Sequence, residues 1–128
     1  MIDHVSVGVR SLEEAERFYA AALGALGYAA LERRARTIGF GKRYPELWIN
    51  LRPGMPHDPE SGAHVCLRAR SPEEVDAFHR TALANGGTDD GPPGPRAHDD
   101  PGRTYYAAFV RDPDGNRIEA VCFVESMP

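Results

Sequence analysis

The chain repeats itself. Residues 2–28 laid over 62–88, at a constant offset of 60 and with no gap, agree at ten of twenty-seven positions: His4/His64, Val5/Val65, Arg10/Arg70, Ser11/Ser71, Glu13/Glu73, Glu14/Glu74, Phe18/Phe78, Ala22/Ala82, Leu23/Leu83 and Gly27/Gly87. Ordinary composition gives about two such matches by chance. A repeat of this length is one supersecondary unit used twice, so the two halves must share a topology. Residues 2–9 alternate, with Val5, Val7 and Val9 on one face and His4, Ser6 and Gly8 on the other. Ser11-Leu12-Glu13-Glu14 is a capping box, and Leu12, Ala15, Phe18, Tyr19, Ala22, Leu23 and Leu26 form an apolar stripe at helical spacing up to Gly27. Strand-like runs follow at 28–35, 37–40 and 46–52. Ser71-Pro72-Glu73-Glu74 opens the second helix in the same way, with Pro72 at the first helical position.

The expected fold is therefore α+β: one domain of two tandem βαβββ modules whose sheets curve into a cup. Module one covers 1–52, a Pro/Gly-rich linker 53–61 and module two 62–128. Within module two, Tyr105–Val110 and Arg117–Val124 flank Asp112-Pro113-Asp114-Gly115 and predict a hairpin. Residues 86–104 are rich in Gly and Pro and predict a long loop acting as a lid.

Charge and length narrow the function classes. A chain of 128 residues with net charge −4 has no basic footprint for nucleic acid or anionic membranes. No apolar run approaches the roughly 18 residues that span a bilayer. The start of the sequence reads directly as a strand, without a secretory signal, and the two cysteines, Cys66 and Cys122, read as buried thiols of a reducing compartment. The expectation is a cytoplasmic protein with a small-molecule substrate.

Alternation also sorts the side chains. Each helix must cover one face of its sheet. Val5, Val7, Val9, Leu47, Ile49, Leu51, Val65, Leu67, Ile118, Ala120 and Cys122 form the covered set. His4, Ser6, Trp48, Asn50, Arg52, His64, Cys66, Arg117, Glu119 and Val121 form the open set. Glu119 is an acid in an apolar strand, costly unless it is paired or bound to a cation. Two imidazoles, His4 and His64, on the same open surface make a donor set for a divalent metal, with Fe, Mn, Ni and Zn all compatible. Ser6 and Asn50 are candidates to orient substrate or water, and Trp48, Phe109, Tyr105 and Tyr106 to wall the site. In the long loop, His98 is a candidate acid or base, and Arg96 and Arg103 candidate anion contacts. His57 and His79 read as surface residues.

These features together resemble the vicinal oxygen chelate superfamily, which groups glyoxalases, bleomycin-resistance proteins and extradiol dioxygenases. The resemblance rests on His4, the Ser-Leu-Glu-Glu helix with Phe18-Tyr19, His64 in Gly62-Ala63-His64-Val65, and Asp112-Pro113-Asp114-Gly115-Asn116-Arg117-Ile118-Glu119. It implies paired modules around a metal, commonly in a homodimer, with His4, His64 and Glu119 as ligands. Glyoxalase I enzymes carry a glutamate ligand in the fourth strand, where this chain has Asn50. An amide is no proton-shuttling base, so ordinary glyoxalase I isomerisation is disfavoured. The remaining set resembles that of extradiol dioxygenases and of fosfomycin-modifying thiol transferases. The resemblance thus implies a metal-dependent enzyme of dioxygenase or lyase type on an oxygen-chelating substrate. The alternative is a non-catalytic sequestering protein of the bleomycin-resistance type.

Overall fold

In the computed structural model, which describes residues 1–58 and 60–125, the repeat becomes two copies of one topology. Position 59 of the expected linker and positions 126–128 of the expected second module lie outside the described residues. The elements run β1 (Val5–Val9), α1 (Leu12–Gly24), β2 (Ala29–Arg33), β3 (Thr37–Gly41), β4 (Pro45–Leu51), β5 (His64–Arg68), α2 (Pro72–Ala84), β6 (Thr88–Arg96), β7 (Arg103–Arg111) and β8 (Arg117–Glu125). They form two four-stranded sheets, ordered β1-β4-β3-β2 and β5-β8-β7-β6. In each sheet the first and last strands of the module pair in parallel, and the remaining pairs are antiparallel. This is the expected α+β pair of βαβββ modules.

The helices coincide under the offset, and their starts are built alike. Ser11 and Ser71 each accept a hydrogen bond at 3.2 Å from the backbone N–H three residues on, relieving an orphan donor of the first turn. In the second module the return bond lands one residue earlier than a capping box requires. Glu74 takes the backbone N–H of Arg70 at 2.8 Å and pairs with its guanidinium. The covered set is covered except for Leu51: Val9, Leu47, Ile49, Ile118, Ala120 and Cys122 join Phe18, Tyr19, Val75 and Phe78 in one apolar core, with Val5, Val7, Val65 and Leu67 packed against it. The helices meet inside that core, where the Thr81 hydroxyl lies 3.3 Å from the Ala21 carbonyl. Gly87 permits the approach: a Cβ there would sit 2.6 Å from the Phe18 ring and 2.8 Å from the Ala82 carbonyl.

The Asp112–Gly115 turn ties the modules together. The buried Asp112 carboxylate accepts from the backbone N–H groups of Asp114 (2.9 Å) and Asn116 (2.8 Å), from the Asn116 side chain (2.8 Å) and from the Tyr19 hydroxyl (2.6 Å). Asn116 donates onward to the Gly8 carbonyl at 2.9 Å, and Asp114 receives the Arg10 backbone N–H at 3.1 Å. Gly115 takes φ +91°, a conformation that Cβ-bearing residues avoid. A turn that reads as local chemistry is thus also the clasp between the halves, through Tyr19 and Asp112, 93 positions apart in sequence.

Three expectations need correction. The stretch 86–104 is not one long lid, because Thr88–Arg96 forms β6 along β7, with register shifts on either side of Gly91. Pro92, Pro93 and Pro95 are tolerated because β6 is an edge strand, where a missing N–H need not leave a ladder bond unmade. Only 86–87 and 97–102 remain as connection. Cys66 is exposed, whereas Cys122 is buried as expected. His79 is not a bare surface residue: its Nε2 lies 2.8 Å from Asp89 Oδ1, joining α2 to β6.

Candidate active site

Pairing register puts one row of side chains on the open side of the second sheet. Cys66 stands opposite Glu119, Glu119 opposite Phe109, Val121 opposite Ala107 and Phe123 opposite Tyr105. Glu119 is the buried acid of this face, 2 % exposed. Its Oε1 lies 3.1 Å from His64 Nε2, and its Oε2 accepts the Tyr105 hydroxyl at 2.5 Å. The sequence thus correctly marks Glu119 as an acid that needs partners, and two of the expected site residues, His64 and Tyr105, supply them.

Burial and the Glu119 carboxylate hold the neighbouring acids in their protonated forms. The Cys66 thiol is pushed up to about 12, first by desolvation and next by the Glu119 charge, although its surface is open to solvent. That makes it a poor nucleophile near neutrality. Tyr105 is raised above the ordinary phenol value by desolvation and by its hydrogen bond to Glu119. Because the native phenol holds its proton more tightly than the unfolded one, its contribution to stability is full below about pH 10 and is lost as pH rises through the folded-state value. A spectrophotometric tyrosine titration should show this directly. Tyr105→Phe is expected to remove one late-ionising phenol and to flatten the alkaline loss of stability. An unchanged high-pH limb would count against the Tyr105–Glu119 bond.

Beyond Tyr105 the same face carries an aromatic group. The Tyr105 and Phe123 rings meet edge-on with centroids 5.2 Å apart, and His98 lies 5.6 Å from Tyr105 and 5.9 Å from Phe123. His98 Nε2 lies 2.7 Å from the Arg103 carbonyl. A carbonyl only accepts, so Nε2 carries the proton and the neutral ring keeps Nδ1 as its basic atom. Arg103 pairs with Asp100 at 2.9 Å, and Arg96 donates to the carbonyls of Pro92 (2.6 Å) and Gly94 (2.9 Å) while lying over Phe109. Tyr106 does not belong here. It alternates with Tyr105, turns to the helix side and donates to Asp76 of α2 at 2.7 Å.

The first module supplies the other expected residues. Ser6, Trp48 and Asn50 line one recess with His4, Arg34, Thr37 and Tyr44. The Thr37 hydroxyl lies 2.6 Å from Asn50 Oδ1, and the Arg34 guanidinium sits over the Trp48 ring at 5.1 Å. His4 and His64 both border a cavity of about 310 Å³ along the edge strands β1 and β5. They do not close on one position: His4 is half exposed and its Nδ1 pairs with Asp3 at 2.7 Å. Among the described residues, no three His, Cys, Asp or Glu side chains form a metal-binding group.

Residues 1–120 match the Glyoxalase/Bleomycin resistance protein/Dioxygenase superfamily. The chain belongs to that superfamily. A crystal structure of a glyoxalase/bleomycin resistance protein from Albidiferax ferrireducens T118 is 37 % identical, with 93 % of this chain and 95 % of that one covered at a TM-score of 0.79. A glyoxalase-related enzyme from Fulvimarina pelagi is 22 % identical over 95 % of this chain and 87 % of that one, with a TM-score of 0.72. A genomically encoded fosfomycin resistance protein from Listeria monocytogenes is 17 % identical over 93 % and 89 %, with a TM-score of 0.67. Likeness at the last two levels shows the fold alone. No curated protein matches the sequence.

Superfamily membership makes a divalent metal the group to test against these residues. His64 Nε2 and Glu119 Oε1 are an imidazole and a carboxylate 3.1 Å apart. Two donors each about 2.1 Å from one ion and at right angles lie about 3 Å apart, so this pair fits two adjacent metal ligands. Two residues of this face are absent from the set drawn by sequence alone, Arg68 and Phe123. Alternation places both on the open side, with Arg68 two positions beyond Cys66 and Phe123 four beyond Glu119. No motif singles them out.

Proposed function

We propose that this chain is a divalent-metal-dependent enzyme of dioxygenase or lyase type acting on a small oxygen-chelating substrate, with His4, His64 and Glu119 as metal ligands. The observation that carries the reading is the His64–Glu119 pair: a buried carboxylate, fixed by Tyr105, with an imidazole nitrogen at ligand spacing. In the chain without metal these two atoms make a hydrogen bond, which a bound cation would replace. His4 stands outside the pair and is half exposed. We therefore place the complete site in a homodimer, with His4 supplied by the second copy.

A divalent ion held by these residues would supply a Lewis acid toward the substrate's oxygens. The chain's own residues do the rest. Tyr105 holds Glu119 in one rotamer and keeps its own proton. His98, through Nδ1, is the base that takes a proton from the substrate. Trp48, Phe109 and Tyr105 wall the site against water. Asn50, held by Thr37, orients the substrate and moves no proton, which separates this site from two-glutamate isomerase chemistry.

Mixing His4→Ala and His64→Ala proteins after reversible dissociation tests the shared site. Neither variant alone should bind metal well. A heterodimer rebuilds one intact site beside one doubly defective site, so isolated heterodimer should bind about half as much metal as wild type and a random mixture about a quarter. No recovery, with mixed dimers confirmed, rejects the shared site. A second reading, a binding protein without turnover, is favoured by one observation: Glu119 is already satisfied by His64 and Tyr105. It predicts ligand binding unaffected by metal.

A further inference from the structure

The open face of the second sheet carries a run of arginines, and nearly all of them are engaged. Arg96 is spent on backbone carbonyls, Arg103 on Asp100, and Arg111 and Arg117 flank Asp90. Arg68 is different. Among the described residues it makes no hydrogen bond or ion pair, and its guanidinium lies over the Phe123 ring at 4.9 Å. Arg103 lies against the same ring at 4.6 Å. Two cations gathered on one ring repel each other, and Asp100 offsets only one of them. Arg103 has Asp100 and, across the strand pair, Glu125 on the same face, so Arg68 is the cation of this group that lacks a hydrogen-bonded or ion-paired carboxylate among the described residues. It sits beside an apolar platform formed by Phe123, Tyr105 and His98. Stacking holds the guanidinium in place while its N–H groups remain available, and their fork matches a carboxylate.

We infer that the substrate is a small aromatic monocarboxylate, anchored by Arg68 through its carboxylate with its ring against Phe123 and Tyr105. This rests on reading the open face as the substrate face, and it does not depend on the metal. One free guanidinium fork engages one carboxylate. Four residues separate Phe123 from Glu119, about 13 Å along a strand. The Tyr105 side chain bridges that interval, touching Phe123 with its ring edge and Glu119 with its hydroxyl. A ligand of one ring, lying along Tyr105, has its carboxylate at Arg68 and its opposite end toward Glu119 and His64. The expected Arg96–Arg103 anion clamp thus gives way to Arg68, because both of those arginines already have partners.

The test is calorimetric titration of metal-free, full-length protein with 4-hydroxybenzoate and with its neutral isostere 4-hydroxybenzamide. Wild type should prefer the carboxylate by about tenfold or more, as expected for a charge-assisted bond. Arg68→Gln should abolish that preference. Arg80→Gln, on the exposed side of α2, should retain it. Phe123→Leu should weaken both probes, and the carboxylate more, because it also releases the Arg68 guanidinium. Equal affinity of wild type for the two probes, no binding of either at millimolar concentration, or a preference surviving Arg68→Gln would each overturn the proposal. So would a preference lost in Arg80→Gln, which would indicate attraction by general charge. Metal binding is measured on separate samples, so loss of the metal reading and loss of the carboxylate anchor are distinguishable outcomes.

Discussion

Glu119→Ala is expected to lower divalent-metal affinity by at least 100-fold. Outer partners of metal ligands already contribute about 10–100-fold, and a ligand itself contributes more. The size follows from the chemistry of the site. Glu119 is the only carboxylate proposed as a ligand, and the fourth-strand position holds Asn50, which cannot replace its charge. Glu119→Gln separates charge from shape, because the amide keeps an oxygen for the Tyr105 hydroxyl. It should lose nearly as much metal affinity as the alanine variant while melting close to wild type without metal. His64 is 47 % exposed at its side chain, so water solvates it once its partner is gone and folding should survive. The measurement is competition with a chelating dye. A loss below tenfold would show that Glu119 does not ligate the metal and serves as a partner for His64 and Tyr105 alone.

Asp112→Ala should produce the largest loss of stability, about 3–4 kcal/mol, since four hydrogen bonds to one buried carboxylate are removed together. The Tyr19 hydroxyl, fully buried, is left without its acceptor, and Asn116 loses the anchor that aims it at Gly8. For a chain of this length that corresponds to a fall in Tm of about 10–15 °C. Tyr19→Phe should cost far less, because Asp112 keeps three donors from the turn itself. The double variant should be more stable than the sum of the two single losses predicts, because removing the hydroxyl also removes the orphan. Calorimetric melts of the four proteins give the cycle. Strict additivity would show that Tyr19 and Asp112 do not act as a pair.

The parts of this molecule legible from sequence are those whose physics is local. The repeat, the two serine caps and the alternation of β1, β4, β5 and β8 depend on neighbours within a few positions, and the helices fall at Leu12–Gly24 and Pro72–Ala84 as the offset requires. The same alternation separates Tyr105 from Tyr106, so only one of the two tyrosines can wall the site. β6 is hidden because Pro92, Pro93 and Pro95 argue against a strand, and only the tertiary fact of an edge position removes the objection. The Tyr19–Asp112 clasp and the His79–Asp89 link join positions that no periodicity connects. His64 is legible through the repeat and Glu119 as a lone acid in an apolar strand, and alternation puts the two on one face. His4 shares the repeat and the face, yet it stands apart within one chain, because equivalence in sequence fixes a side chain's strand and not its distance from a partner in another module.

The central claim is that the His64–Glu119 pair is part of a metal site, and metal stoichiometry tests it most directly. Protein stripped with chelator and dialysed against Fe(II), Mn(II), Ni(II) or Zn(II) should take up about one ion per chain of at least one of them and melt at higher temperature in its presence. His64→Ala should abolish both effects, while His79→Ala leaves both intact. No stoichiometric uptake of any of the four ions, with an unchanged melting temperature, would contradict the account.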